Sequence, residues 1–203
     1  MKIGPKFKIA KRLGAPIFEK TQTVKFEQSV ARRANQRTTR RPGQMSDYKR
    51  QLIEKQKMRF SYGITEKQLR RYVDEAVEKS NQPVALLMNR LESRLDNVIY
   101  RMGLAKTRRL ARQIASHGHI CVNGKKMTIP SHRVKIGDIL SIREGSRQTG
   151  LFITLGETHE AAGLPGWVTY DVKKMEGEMK GDPIYNPAET LFDPEQVMEY
   201  YSR

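Results

Sequence analysis

The chain has 203 residues, 37% hydrophobic and 30% charged, which suits one or two domains with modest cores and includes no apolar run long enough to span a bilayer. A net charge of +16 requires a polyanionic partner to make sense, and one cysteine excludes an internal disulfide framework and fits a reducing compartment. The charge is uneven, with 12 basic and 2 acidic residues in 1–45 and 12 against 3 in 93–148, but 4 against 10 beyond residue 148. An anionic membrane would call for a basic amphipathic helix with a bulky apolar face. The cations lie instead in a weakly hydrophobic arm and a compact module, which favours nucleic acid. The first residues are basic but lead into no apolar run, so they do not read as a secretory signal.

Residues 1–45 read as an arm without a core of its own. "ARRANQRTTRRPGQ" spaces Arg32, Arg33, Arg37, Arg40 and Arg41 among small polar residues, a composition expected to order only on a polyanion. A helix is predicted over 46–63, with Ser46 as N-cap and Gly63 as its stop. Its cations Lys49, Arg50, Lys57 and Arg59 join the candidate surface. The next helix opens on a Thr65/Gln68 capping box and carries an apolar stripe of Leu69, Tyr72, Val73, Ala76 and Val77.

A third helix is predicted over 83–102, with Leu87, Leu91, Leu95, Val98, Ile99 and Met102 on one side. A fourth, from the Thr107 cap to Gly118, turns Leu110, Ala111, Ile114 and Ala115 inward. Arg108, Arg109 and Arg112 crowd its N-terminal half, where the helix dipole disfavours cations, so an anion is expected against it. Asp96 is expected to pair with nearby arginines.

The period then changes. "HICVNGKKMTI" predicts a hairpin turning at Asn123-Gly124, with Val122 opposite Lys125, Ile120 opposite Met127 and Cys121 opposite Lys126. Ile120, Val122, Met127 and Ile129 should face the core, leaving Lys125 and Lys126 able to reach phosphates. Residues 139–143 and "WVTYDV" read as strands, "DPEQVMEYYSR" as a helix capped by Asp193, and 150–163 as either helix or strand. Helices followed by a small antiparallel sheet make an α+β module.

His117, His119 and Cys121 invite a metal reading. His117 falls outside the strand register, Lys126 lies across from the cysteine, and no Cys-x-x-Cys spacing supplies a fourth ligand, so no metal is expected. Phosphate-binding and nucleophile motifs are absent as well, and the chain reads as a non-enzyme without cofactors.

"RLESRLDNVIYRMGLAKTRRLARQIASHGHICVNGKKMTIPSHRVKIGDILSIRE" resembles the RNA-binding module named after ribosomal small-subunit protein four, and "RPGQMSDYKRQLIEKQKMRFSYG" and "WVTYDVKKMEGEMKGDP" resemble that family's flanks. The resemblance implies an α+β fold in which a mostly helical domain, built from both chain ends, carries the module as an insert. It divides the chain into a 1–45 arm, a 46–91 helical domain completed by about 170–203, and a 92–169 module. By the same resemblance, Thr107, Arg108, Arg109, Arg112 and His117 match the RNA-facing helix, and Asn123, Gly124, Lys125 and Lys126 the hairpin. Arg133 joins them as a candidate RNA-binding residue. The resemblance further implies a primary small-subunit rRNA binder acting early in assembly of the subunit body, beside small-subunit proteins five and three. A place near the mRNA entry channel and an influence on translational accuracy also belong to it. The absence of a transit-like extension leads us to expect a bacterial cytoplasmic rather than an organellar ribosome. Some relatives bind zinc through four N-terminal cysteines; residues 1–45 contain none, so no zinc is expected.

An RNA-modifying enzyme using the same module would need a separate catalytic domain, for which no segment is long enough. A free-standing regulatory factor would not need the family's flanks.

Overall fold

The computed structural model describes residues 3–36, 45–153, 163–187 and 190–202. The chain forms two compact units, one from Met1–Val84 with Asn186–Arg203, the other from Ala85–Tyr185.

The first unit is helical. Helices α1 (Lys6–Leu13) and α2 (Val24–Gln36) flank a 3₁₀ turn at Glu19–Thr21. Ala10, Phe18 and Phe26 are buried together, and Phe60 packs against them with its ring 6.1 Å from Phe18. This corrects the reading of 1–45 as a coreless arm: the apolar residues are sparse but aromatic, and aromatics bury much area per residue. Helix α3 (Asp47–Tyr62) begins where Ser46 Oγ accepts the Lys49 N–H and ends at Gly63, which takes a φ of 61°. Helix α4 (Glu66–Lys79) is capped by Thr65, whose Oγ1 accepts the Gln68 N–H, while the Gln68 side-chain amide donates to the Tyr72 hydroxyl. Leu69, Val73 and Ala76 are buried, whereas Val77 is exposed, contrary to its place in the predicted stripe. The C-terminal helix α10 (Pro194–Tyr201) packs on α3, and Asp193 accepts from the Glu195 N–H as the expected cap.

The second unit is the α+β module. The predicted 83–102 helix is in fact two, α5 (Pro83–Glu92) and α6 (Leu95–Arg101), broken where Arg94 is extended. The break lets the Leu95 N–H donate to the His132 carbonyl and the Asp96 N–H to that of Pro130. All six residues of the predicted stripe are nevertheless buried. Glu92 accepts hydrogen bonds from Asn97 and Arg101, tying the end of α5 to α6. The boundary between the units falls after Val84, in the first turn of α5, rather than at residue 92.

Helix α7 (Arg108–Ser116) follows, capped by Thr107, and leads into β1 (Ile120–Val122) and β2 (Lys125–Met127). The pairing is Ile120 with Met127, Cys121 with Lys126 and Val122 with Lys125, as the alternation predicted. Asn123 and Gly124 take φ of 49° and 74°, the backbone of a type I′ turn. Strands β3 (Ile139–Ile142), β4 (Val168–Asp171) and β5 (Glu176–Met179) complete an antiparallel sheet in the order β2-β1-β3-β5-β4. Residues 170–179 therefore belong to the module, not to the helical domain as the 170–203 boundary expected, because β5 pairs directly with β3. Short helices α8 (Glu144–Arg147) and α9 (Gly150–Ile153) precede β4, and Phe152 joins a core of α6, α7 and sheet residues. Ile120 and Val122 are in that core and Met127 packs against it, but Ile129 lies past the ladder and is exposed.

Candidate nucleic-acid interface

The predicted cations separate into two populations. Arg32 on α2 and Lys49 and Arg50 at the start of α3 are exposed, and Arg50 stands 3.7 Å from Asp47 in an exposed pair. Lys57 is held 2.7 Å from Glu54. Arg59 donates to Glu66 at 3.1 Å, with its guanidinium 4.9 Å from the Phe60 ring centre. Lys57 and Arg59 are thus committed to carboxylates of their own unit. Arg33 lies in α2, and Arg37, Arg40 and Arg41 lie outside the described residues.

The module shows the same division. Thr107 Oγ1 accepts the Leu110 N–H at 3.0 Å, starting α7 with no acid in its first turn. Two of its arginines meet acidic or amide groups of the module itself. Arg112 donates through Nε and Nη2 to Asp96 Oδ2, at 2.8 and 2.6 Å. Arg108 donates to Asn97 Oδ1 at 2.8 Å, stands 3.8 Å from Glu92 Oε1 and stacks 4.6 Å from the Tyr100 ring centre. Asp96 was legible as an arginine partner; Glu92 was not, because only the break between α5 and α6 turns it back. Arg109 is exposed.

Lys125, Lys126 and Asn123 are exposed around the turn. The stem of Lys126 lies against Gly118, where an added side chain would collide with it, so the end of α7 and the hairpin lysine form one surface. His117 is exposed there, its ring 6.0 Å from that of His119. His119 Nδ1 is 2.9 Å from Ser146 Oγ, and its ring meets Phe152 edge-on. Burial, then the neighbouring His117, Arg143 and Lys126 charges, hold the His119 imidazole below its ordinary pKa. Arg133 is exposed, and its backbone bridges to Arg94. Among the described residues, no group of three or more His, Cys, Asp or Glu is placed to hold a metal ion, and no helix is long and apolar enough to cross a membrane.

Residues 1–92 match the ribosomal protein S4/S9 N-terminal domain, and residues 93–140 match the S4 domain. The chain is 42% identical over 203 residues to the small ribosomal subunit protein uS4 of Chromobacterium violaceum, covering 99% of this chain and 98% of that protein. It is 42% identical over 204 residues to the uS4 protein of Neisseria gonorrhoeae and 39% identical over 203 residues to that of Leptothrix cholodnii, with the same coverage in both cases.

Proposed function

Because the chain belongs to the uS4 family of small ribosomal subunit proteins, we propose that it is a non-enzymatic constituent of the small subunit, bound to rRNA in the cytoplasm. The observation that supports the site is the exposure of Arg109, Lys125 and Lys126 beside two partly exposed arginines, Arg108 and Arg112, that buried acidic and amide groups hold in place. Cations on a rigid helix and hairpin suit phosphate contacts, which fix position on RNA by backbone and groove shape rather than by sequence. In the first unit, Arg32, Lys49 and Arg50 supply a second basic surface.

Early assembly of the subunit body is the role this binding would serve. The acidic stretch beyond residue 148 is unsuited to phosphate and suits a basic neighbour, with small-subunit proteins five and three as the candidates. Proximity to mRNA at the entry channel belongs to the same proposal.

Filter binding to a small-subunit rRNA fragment across a salt series tests the site. Lys125→Ala with Lys126→Ala should weaken binding and lower the slope of log affinity against log salt by about 2, one for each lost phosphate contact. An unchanged slope would reject the hairpin as the interface. Cosedimentation of the full chain with small subunits separates a ribosomal constituent from a free regulatory factor.

A further inference from the structure

Two carboxylates in the module are buried under four arginines. The Asp96 and Glu92 side chains are 6% and 5% exposed, against 30%, 27% and 20% for Arg112, Arg108 and Arg101. Asp96 takes Arg94 side-on, Nε to Oδ1 at 3.0 Å and Nη2 to Oδ2 at 2.8 Å, and it accepts Arg112 through Oδ2. Glu92 takes Arg101 at 2.8 and 3.2 Å and Asn97 at 2.7 Å, and Asn97 in turn receives Arg108. Four positive charges meet two negative ones, so the cluster retains an excess of positive charge. The buried members are the acids and Arg94, while the partly exposed ones are guanidiniums.

We infer that Asp96 and Glu92 are positioning residues for RNA binding, fixing the guanidiniums of Arg112 and Arg108 so that their outer edges meet phosphate without an entropic cost of ordering. This deepens the proposed function and rests on it. A free arginine on a helix surface loses rotamer freedom when it binds, whereas one already clamped at two nitrogens loses little. Buried acids are poor choices for stability alone, since a well-packed apolar substitute is often as good. They are sensible where geometry matters.

Charge counting and positioning make opposite predictions. Asp96→Asn adds one net positive charge, so a charge-only surface should bind rRNA more tightly. A positioned surface should bind about tenfold more weakly, the loss typical of one charge-assisted contact. Arg112→Lys provides the second variant, because it keeps the charge and leaves the buried Arg94–Asp96 pair in place. Positioning predicts that Arg112→Lys loses nearly as much affinity as Arg112→Ala. In the double variant Asp96→Asn/Arg112→Ala, the loss should not exceed that of Arg112→Ala alone.

Full-length variants should be assayed by filter binding to the small-subunit rRNA fragment, at temperatures where circular dichroism shows them folded. Wild-type or tighter binding by folded Asp96→Asn overturns the inference, as do additive losses in the double variant. If Asp96→Asn does not fold, Arg112→Lys decides alone, and full affinity in that variant overturns the inference. The Lys125/Lys126 variant keeps the two readings apart. If it weakens binding while Asp96→Asn and Arg112→Lys do not, the interface stands and the positioning role fails. If neither wild type nor any variant binds, the proposed function itself fails.

Discussion

Lys55 Nζ donates to Glu66 Oε1 at 2.7 Å while standing 4.3 Å from the centre of the Tyr200 ring. The lysine side chain is 6% exposed, and the Tyr201 hydroxyl donates to the same Glu66 oxygen at 2.7 Å. Burial and then the bond to Glu66 push the Tyr201 phenol well above its ordinary pKa. One carboxylate on α4 thus joins α3 to the C-terminal helix.

Glu66 should therefore support the first unit in a pH-dependent way. Burial alone would raise its pKa, but the bonds from Lys55, Tyr201 and Arg59 hold it below 4.5. A depressed carboxyl contributes stability that is present above its unfolded value and lost as pH falls through its folded one. Glu66→Gln should cost about 1–2 kcal/mol at pH 7, a buried-pair loss discounted for the partial exposure of the glutamate. Thermal melts from pH 7 to 3 should show the wild-type advantage shrinking below pH 4.5. A constant difference across that range would reject the assignment.

The Asn123 side chain ties the hairpin to the next turn. Its amide donates to Asp138 Oδ1 at 2.8 Å and its carbonyl oxygen accepts the Ile139 N–H at 2.9 Å, while Asp138 Oδ2 accepts the Lys135 N–H at 2.7 Å. Asn123→Ala removes both bonds and leaves an ordinary side chain at a φ of 49°. A loss of about 1–3 kcal/mol in chemical denaturation is expected. Asn123→Gly keeps the backbone conformation and should cost less; equal losses would mean that turn conformation contributes nothing.

These contacts mark how far the sequence could be read. Hairpin register followed from alternation about Asn-Gly, and the caps at Ser46, Thr65, Thr107 and Asp193 followed from residue type, because both are local. The break at Arg94 was not legible, since it is driven by hydrogen bonds to His132 and Pro130, far along the chain. The same cause hid the partnership of Glu92 with Arg108 and the pairing of β5 with β3. Residues 1–45 misled because their charge density outweighed a few well-spaced aromatics that find Phe60 from α3. Fold class and the exposure of the turn lysines followed from local pattern, whereas which arginines meet buried carboxylates was decided by tertiary contacts.

Gly177 illustrates a constraint that composition cannot convey. A Cβ there would lie 2.8 Å from the Thr169 carbonyl oxygen and 2.8 Å from Met102 Sδ. The methionine can move, but the carbonyl belongs to β4, which pairs with β5 at this point. Gly177→Ala should destabilise the second unit by about 1–3 kcal/mol through overpacking. Adding Met102→Ala should recover only part of this loss. Full recovery would place the whole conflict on the side chain rather than on the strand pairing.

His119 gives the module a separate pH response. Its imidazole is packed edge-on to Phe152, bonded to Ser146 and crowded by the His117, Arg143 and Lys126 charges, so its pKa is lowered from 6.5. Below that value the unfolded chain takes up a proton that the folded chain resists, and stability is lost as pH falls towards the folded pKa. Above it, the neutral ring costs nothing extra. His119→Gln removes the titration and retains a hydrogen-bonding group for Ser146. The melting temperature of the second unit should then fall less between pH 7.5 and 5.5 in the variant than in the wild type. Parallel profiles for the two proteins would show that His119 does not carry this dependence.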